Sequence, residues 1–358
     1  VKYVLDLREF PQDPVSEVLT HDFNDILQDE EVRIVVETMG GLSPAYDFTK
    51  KALLAGKNVC TSNKELVAEH GVELMTIARD KGVNYLFEAS CGGGIPIIRT
   101  LNSSLTAEEI DEITGILNGT TNYILTHMRE EGQDFSDALA AAQEKDYAEK
   151  HPEADVEGWD ACRKLAILSS LAYGSHISYK NVPTEGITNI EKADIAYAEA
   201  VGMRIRLLAV SRRSSEGITA IVAPMLVDKK NMLYHVDDVL NAIFLHGNAL
   251  GDAMFYGSGA GRLPTASAVA GDIVDCARHL HKTIRADFSE AETELLPLSC
   301  VRRSFFVRFT GTEEEAKAVF GDIKPVRTLG ATGEFGFISA VMAEQEFNEK
   351  CAASGKVL

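Results

Sequence analysis

Along the first 90 or so residues, short β-rich runs alternate with stretches of helical periodicity, the pattern of parallel strands joined by crossing helices. It predicts strands over 3–7, 33–37, 58–61 and 84–88 and helices over 44–55 and 64–81. Ala55-Gly56 and Lys81-Gly82 put glycine where a helix ends in a left-handed turn, and a strand follows each one. From about residue 100 the alternation gives way to helical patterns at 123–131, 135–144, 156–172 and 192–201, with β or loop character at 105–117, 186–190 and 218–227. That mixture predicts an α+β domain. After the polar stretch 287–294, a strand at 304–309, a helix at 312–320, a hairpin over 326–342 and a helix at 343–353 make a small βαββα module. The expected boundaries are 1–98 for an α/β, doubly wound (Rossmann-like) nucleotide-binding domain, rejoined by a small-residue helix at 264–282, then 99–263 for the α+β catalytic domain and 295–358 for the module.

The opening strand runs into Asp6-Leu7-Arg8, where a dinucleotide fold carries an acidic or basic residue after its first βα unit. No G-x-G-x-x-G lies upstream, so the expectation is a doubly wound domain lacking that first βα unit. Composition narrows the function classes. With 45% apolar and 25% charged residues over 358 positions, the chain suits a soluble protein of two or three domains. Its 54 Asp and Glu against 35 Lys and Arg repel nucleic acid and anionic membrane, which leaves a small molecule as the expected partner. The six cysteines lack the short paired spacing of zinc or dithiol chemistry, and no apolar run is long enough to cross a bilayer; both point to a cytoplasmic protein with reduced thiols.

Several clusters could carry chemistry. The segment from Asp155 to Lys164 leads into an apolar run, which places Asp155 near a helix N-terminus, where a carboxylate suits the dipole. Asp160 and Lys164 then share a face. Such a pair is ordinarily a solvated surface bridge. The adjoining apolar run favours a partly buried ammonium held by acids, able to donate a proton to a carbonyl oxygen. Asn118-Gly119-Thr120-Thr121-Asn122 follows a strand-like run and reads either as a polar cradle at a helix start or as a tight turn. Glu88-Ala89-Ser90-Cys91-Gly92-Gly93-Gly94-Ile95-Pro96 lies past a predicted strand, at the edge where open sheets bind ligands. Its glycines let carbonyls converge on a hard cation, or serve as a hinge. Thr61-Ser62-Asn63-Lys64 is similarly placed, with a lysine at an unfavourable helix start. The glycine-rich run from Tyr256 to Thr265 precedes a small-residue helix and is a weak cofactor signal. The histidines show no ligand spacing.

Taken together and in order, Glu37 to Gly41, Thr61 to Lys64, Glu88 to Pro96, Leu117 to Leu125, Tyr147 to Glu149 and Asp155 to Lys164 resemble the signatures of homoserine dehydrogenases, over nearly the whole chain. The resemblance implies NAD(P)-dependent interconversion of L-aspartate 4-semialdehyde and L-homoserine. It makes Lys164 the proton donor to the substrate carbonyl, with Asp160 its neighbour and Lys64 a second catalytic lysine near substrate and cofactor. Glu149 and Asp155 would hold the amino group, and Thr120 would line the substrate site. Arg8, Thr38, Lys64 and Gly259 would meet the cofactor. Arg8 suits the 2′-phosphate of NADP and Asp6 a ribose hydroxyl of NAD, so both cofactors stay open. The carbonyls of Glu88, Cys91, Gly93 and Ile95 would hold a sodium ion. The C-terminal module weakly resembles the ACT domain, which implies a threonine effector, and the family likeness suggests a homodimer or homotetramer. Two other readings stand beside this one: a dehydrogenase of the same fold acting on another small carbonyl compound, and a non-enzymatic sensor of an amino acid.

Overall fold

Parallel strands flanked by helices form the first layer of the structure, a computed structural model that describes residues 1–280, 282–284, 288–328 and 333–358. β1 (Ile34–Glu37), β2 (Asn58–Thr61) and β3 (Tyr85–Leu86) make a parallel sheet in that order, crossed by α1 (Ala45–Leu54) and α2 (Lys64–Lys81). All four residues of β2 are buried, as a central parallel strand covered on both faces requires. α2 has the predicted bounds and ends at left-handed Gly82.

Two predicted strands are shorter than expected. The opening one is only Val4–Leu5 and pairs with Leu19–Thr20 in a separate two-stranded parallel sheet. The Asp6 carboxylate accepts the Arg8 N–H at 2.9 Å, a local turn that stops the strand. β3 ends early because Glu88–Ser90 is a 3-10 turn, with the Glu88 N–H donated to the Asp272 carboxylate.

β4 (Ile110–Ile116) begins the second layer and is followed by α3 (Gly119–Glu130) and α4 (Trp159–Tyr173). β5 (Met203–Ser214), β6 (Gly217–Asp228), β7 (Leu240–Gly247) and β8 (Gly251–Ser258) complete an antiparallel sheet of order β8-β7-β4-β5-β6. Alternation divides its two faces: Leu207 and Ala209 join the core beneath the helices, while Leu208 and Val210 join a second cluster with Leu233 and Val236. The predicted helix over 156–172 is interrupted at Gly158, whose φ of +89° is left-handed; a Cβ there would stand 3.0 Å from Thr184. Of the run from Tyr256 to Thr265, residues 256–258 end a strand and 262–265 begin α5 (Arg262–Arg278), and only 259–261 remain outside regular structure. α5 returns to the first layer, where Cys276 packs with Cys60 and Leu86.

The last part is a βαββα unit: β9 (Phe306–Phe309), α6 (Glu313–Phe320), β10 (Ile323–Val326), β11 (Phe335–Ser339) and α7 (Glu344–Ser354), with sheet order β9-β11-β10. Phe309, Phe320 and Phe337 form its core. Val357 bridges Phe309 on the outer edge of β9. Within the predicted polar stretch, helix and hairpin, residues 287, 281 and 329–332 respectively lie outside the described residues. Among the described residues no helix is long and apolar enough to cross a membrane.

Candidate active site

Asp160 lies in the first turn of α4 and Lys164 one turn later, and the surrounding apolar residues leave them 2% and 7% exposed. The surface-bridge reading of this pair therefore fails. The Lys164 ammonium donates to Asp160 Oδ2 at 2.7 Å and to the Leu117 carbonyl, at the end of β4, at 2.8 Å. From the first layer, the Lys64 ammonium reaches Asp160 Oδ1 at 2.6 Å. Lys64 opens α2, where the helix dipole disfavours a cation, and Asp160 compensates. Asn118 is the N-cap of α3: its Oδ1 accepts the Thr121 N–H at 2.8 Å. Its Nδ2 donates to Asp155 Oδ1 at 2.7 Å and to Asp160 Oδ2 at 2.9 Å. The sequence motif at 118–122 is thus a helix start whose cap also holds two acids, and Asn118 is a site residue that the sequence reading did not single out.

The charges are mutually supporting. Burial pushes the Asp160 carboxyl up, but Lys164 and Lys64 outweigh it and hold the group well below the usual carboxylate range. The Asp160 charge raises Lys64 above its ordinary value. Burial, and then the Asp160 charge, raise Asp155, against the pull of Asn118. Of the three ammonium N–H groups of Lys164, two are committed and one has no partner among the described residues. An ammonium fixed by a carbonyl and a carboxylate, with one donor spare, is arranged to hydrogen-bond an oxygen that gains negative charge.

The other predicted residues fall in several places. The Thr120 hydroxyl donates to the Tyr147 carbonyl at 2.6 Å, tying the segment that carries Glu149 to α3. Glu149 itself is exposed; its carbonyl accepts from Gln143, and its carboxylate makes no hydrogen bond or ion pair among the described residues. Thr38 is exposed just past the carboxyl end of β1. Arg8 and Asp6 face each other, Nε to Oδ1 at 3.0 Å and Nη2 to Oδ2 at 2.8 Å, so the two groups expected to read the cofactor ribose are paired together. Gly259 lies against Gly93, where a Cβ would come within 2.5 Å of the Gly259 carbonyl. Gly259 also covers Asn241, whose fully buried amide has no hydrogen-bond partner among the described residues.

Around Glu88 to Ile95, Gly92 and Gly93 have left-handed φ of +70° and +55°. The buried carbonyls of Cys91 and Gly93 meet no donor among the described residues, a state that a cation would relieve. The Cys91 thiol is pushed up to about 12 by burial, so it stays protonated. No group of three or more His, Cys, Asp or Glu that could hold a metal occurs among the described residues, so an ion here would rest on backbone oxygen.

The family model for homoserine dehydrogenase matches residues 96–274, and that for the homoserine dehydrogenase NAD-binding domain matches 3–88. A homoserine dehydrogenase of Pseudomonas aeruginosa is 40% identical over 337 residues, which is 92% of this chain and 76% of that protein. One from Synechocystis is 46% identical over 263 residues, 72% of this chain and 61% of that protein. A homoserine dehydrogenase structure from Thiobacillus denitrificans superposes with a TM-score of 0.86 at 36% identity, covering 95% of this chain and 83% of that one. A hyperthermophilic archaeal homoserine dehydrogenase in complex with NADPH gives 0.64 at 30% identity, covering 73% and 76%.

Proposed function

The chain belongs to the homoserine dehydrogenase family of NAD(P)-dependent oxidoreductases, and we propose that the Asp160 cluster is its centre for interconverting L-aspartate 4-semialdehyde and L-homoserine. The observation that carries this reading is one buried carboxylate shared by two ammonium groups that arrive from different layers. When bound, the nicotinamide cofactor supplies the hydride for the aldehyde carbon. The chain's part is electrostatic and protonic. Lys164 donates its spare N–H to the carbonyl oxygen as charge develops there, while the Leu117 carbonyl and Asp160 fix the direction of the ammonium. Asp160, kept ionised, favours the charged form of Lys64. Asp155 and Glu149 hold the substrate ammonium, and Thr120 lines the same space.

Thr38, Lys64 and Gly259 border the cofactor at the carboxyl edge of the parallel sheet. Arg8 and Asp6 offer a cation for a 2′-phosphate and an acceptor for a ribose hydroxyl, so NADP and NAD both fit. The carbonyls of Glu88, Cys91, Gly93 and Ile95 suit a structural sodium ion, supported by the unpartnered oxygens of Cys91 and Gly93. The βαββα unit is read as an ACT-like regulatory module with threonine as effector. A homodimer or homotetramer is read from the likeness to the family.

The test is substrate truncation. Oxidation of homoserine is compared with that of 4-hydroxybutanoate, which keeps the alcohol and loses the amine. Fixing the reacting carbon through the amine predicts a loss of about 10²-fold or more in kcat/KM. Equal turnover of the two alcohols would sink the assignment of the acids.

A further inference from the structure

Glu37 ends β1, and the reading above uses only Thr38 from the motif that contains it. Its carboxylate is 4% exposed and pairs with no Lys or Arg among the described residues. Its two oxygens are instead shared between two loops. Oε1 accepts the Met39 N–H at 2.6 Å, and Oε2 accepts the Thr61 hydroxyl. The Thr61 oxygen in turn accepts the Asn63 N–H at 2.9 Å. The Asn63 amide donates to the Gly41 carbonyl at 2.7 Å, and its oxygen caps α2 by accepting the Leu66 N–H at 3.0 Å. The Ser62 N–H closes the frame on the Glu37 carbonyl at 3.3 Å. One carboxylate therefore joins residues 38–41 to 61–63, and the next residue is Lys64.

Burial raises the Glu37 carboxyl against the donors of Thr61, Met39 and Asn63. A buried carboxylate without a cation is costly, and an apolar side chain of similar size would be cheaper. What the carboxylate supplies is geometry. Lys64 must leave the start of α2 at the angle that brings its ammonium to Asp160, and a displacement near 1 Å in such a site can cost roughly 10²-fold.

We infer that Glu37 is a positioning residue for the reaction: through Thr61 and the Met39 amide it locks the two loops at the carboxyl edge of the parallel sheet, and so sets where the 38–41 backbone and Lys64 meet the nicotinamide cofactor. The inference rests on the proposed placement of the cofactor at that edge.

The test uses Glu37→Gln, Thr61→Val, their double variant and Thr61→Ser. NADPH binding is read by fluorescence, KM for NADP and kcat by homoserine oxidation, and folding by melting temperature. Each of the first two substitutions should weaken NADPH binding by about 10-fold or more, and the double variant should be little worse than the stronger single, because both break one link. Thr61→Ser keeps the hydroxyl and should restore binding. A fall in melting temperature with unchanged NADPH affinity and KM marks a purely structural group and overturns the inference. Should Glu37→Gln not fold, the contrast between Thr61→Val and Thr61→Ser decides it. Failure of the unsubstituted protein to bind NADPH sinks the cofactor placement itself; normal binding with indifferent variants sinks only the role of Glu37.

Discussion

Two aspartates in this molecule are each met by more than one cation, but the side chain of Asp160 is 3% exposed and that of Asp237 32%. Asp237 is met by three arginines. Arg206, 1% exposed, reaches Asp237 Oδ1 at 2.6 Å, the Tyr234 carbonyl at 3.0 Å and the Asn122 amide oxygen at 3.0 Å. Arg204 reaches Asp237 Oδ2 and the Tyr234 carbonyl, each at 2.9 Å, and Arg129 approaches Asp237 at 3.2 Å. The planar forks knit the connection before β7 to β5 and α3. Asp160 is met by two lysines instead, and one N–H of Lys164 has no partner among the described residues. Guanidinium groups spread over many acceptors suit a scaffold, whereas a point-charge ammonium with a spare N–H suits the proposed contact with the substrate oxygen. The residue type of the cations separates the two, and so does the burial of the acid.

The largest effect that separates them is on turnover. Lys164→Ala should lower kcat by roughly 10²–10⁴-fold, because it removes the donor to the carbonyl oxygen. Lys64 still balances Asp160 in that variant, so the melting temperature should fall only modestly. Steady-state kinetics beside a thermal melt check both halves, and wild-type turnover removes Lys164 from the mechanism. Arg206→Ala should do the reverse. Arg204 and Arg129 still balance Asp237, but the buried Asn122 oxygen loses its donor, which costs about 1–3 kcal/mol of stability, measured by denaturant unfolding, while kcat per folded molecule changes far less than in Lys164→Ala. Loss of turnover at full stability would show that the arginine cluster is not a scaffold.

The same contrast explains what could be read from the chain. α2 and β2 have their predicted bounds because the signals are local: a left-handed glycine ends one, and an unbroken buried run makes the other. β5 escaped because Arg204 and Arg206 interrupt its apolar pattern, and the acid that neutralises Arg206 lies 31 residues further on. Asn118 was ambiguous for the same reason, since a cap and a turn look alike until Asp155 and Asp160 arrive from 37 and 42 residues away. The Asp160 and Lys164 pair was visible because both members sit on one helix. Lys64 was visible as a lysine at an awkward helix start, although the compensating charge was not. Glu149 shows the limit from the other side: its motif is plain in the sequence, but its carboxylate stands exposed and unpaired among the described residues.

The smallest and most discriminating effect concerns Asp155, which belongs to the proposed reactive cluster but does not touch Lys164 in the way Asp160 does. Its carboxyl is raised by burial and by the Asp160 charge, whereas Asp160 is lowered by the two lysines. As pH falls, Asp155 is therefore the first of the two to take a proton, and the protonated acid no longer attracts the substrate ammonium. KM for homoserine should rise on the acid side, beginning above the ordinary aspartate value of about 3.8, while Asp160 remains ionised. Asp155→Asn should raise KM about 10-fold at neutral pH, the cost of one charge-assisted hydrogen bond of about 1.5 kcal/mol. It should also abolish the acid-side rise in KM. If the rise survives in Asp155→Asn, the titrating group lies elsewhere, and Glu149 becomes the acid to substitute next.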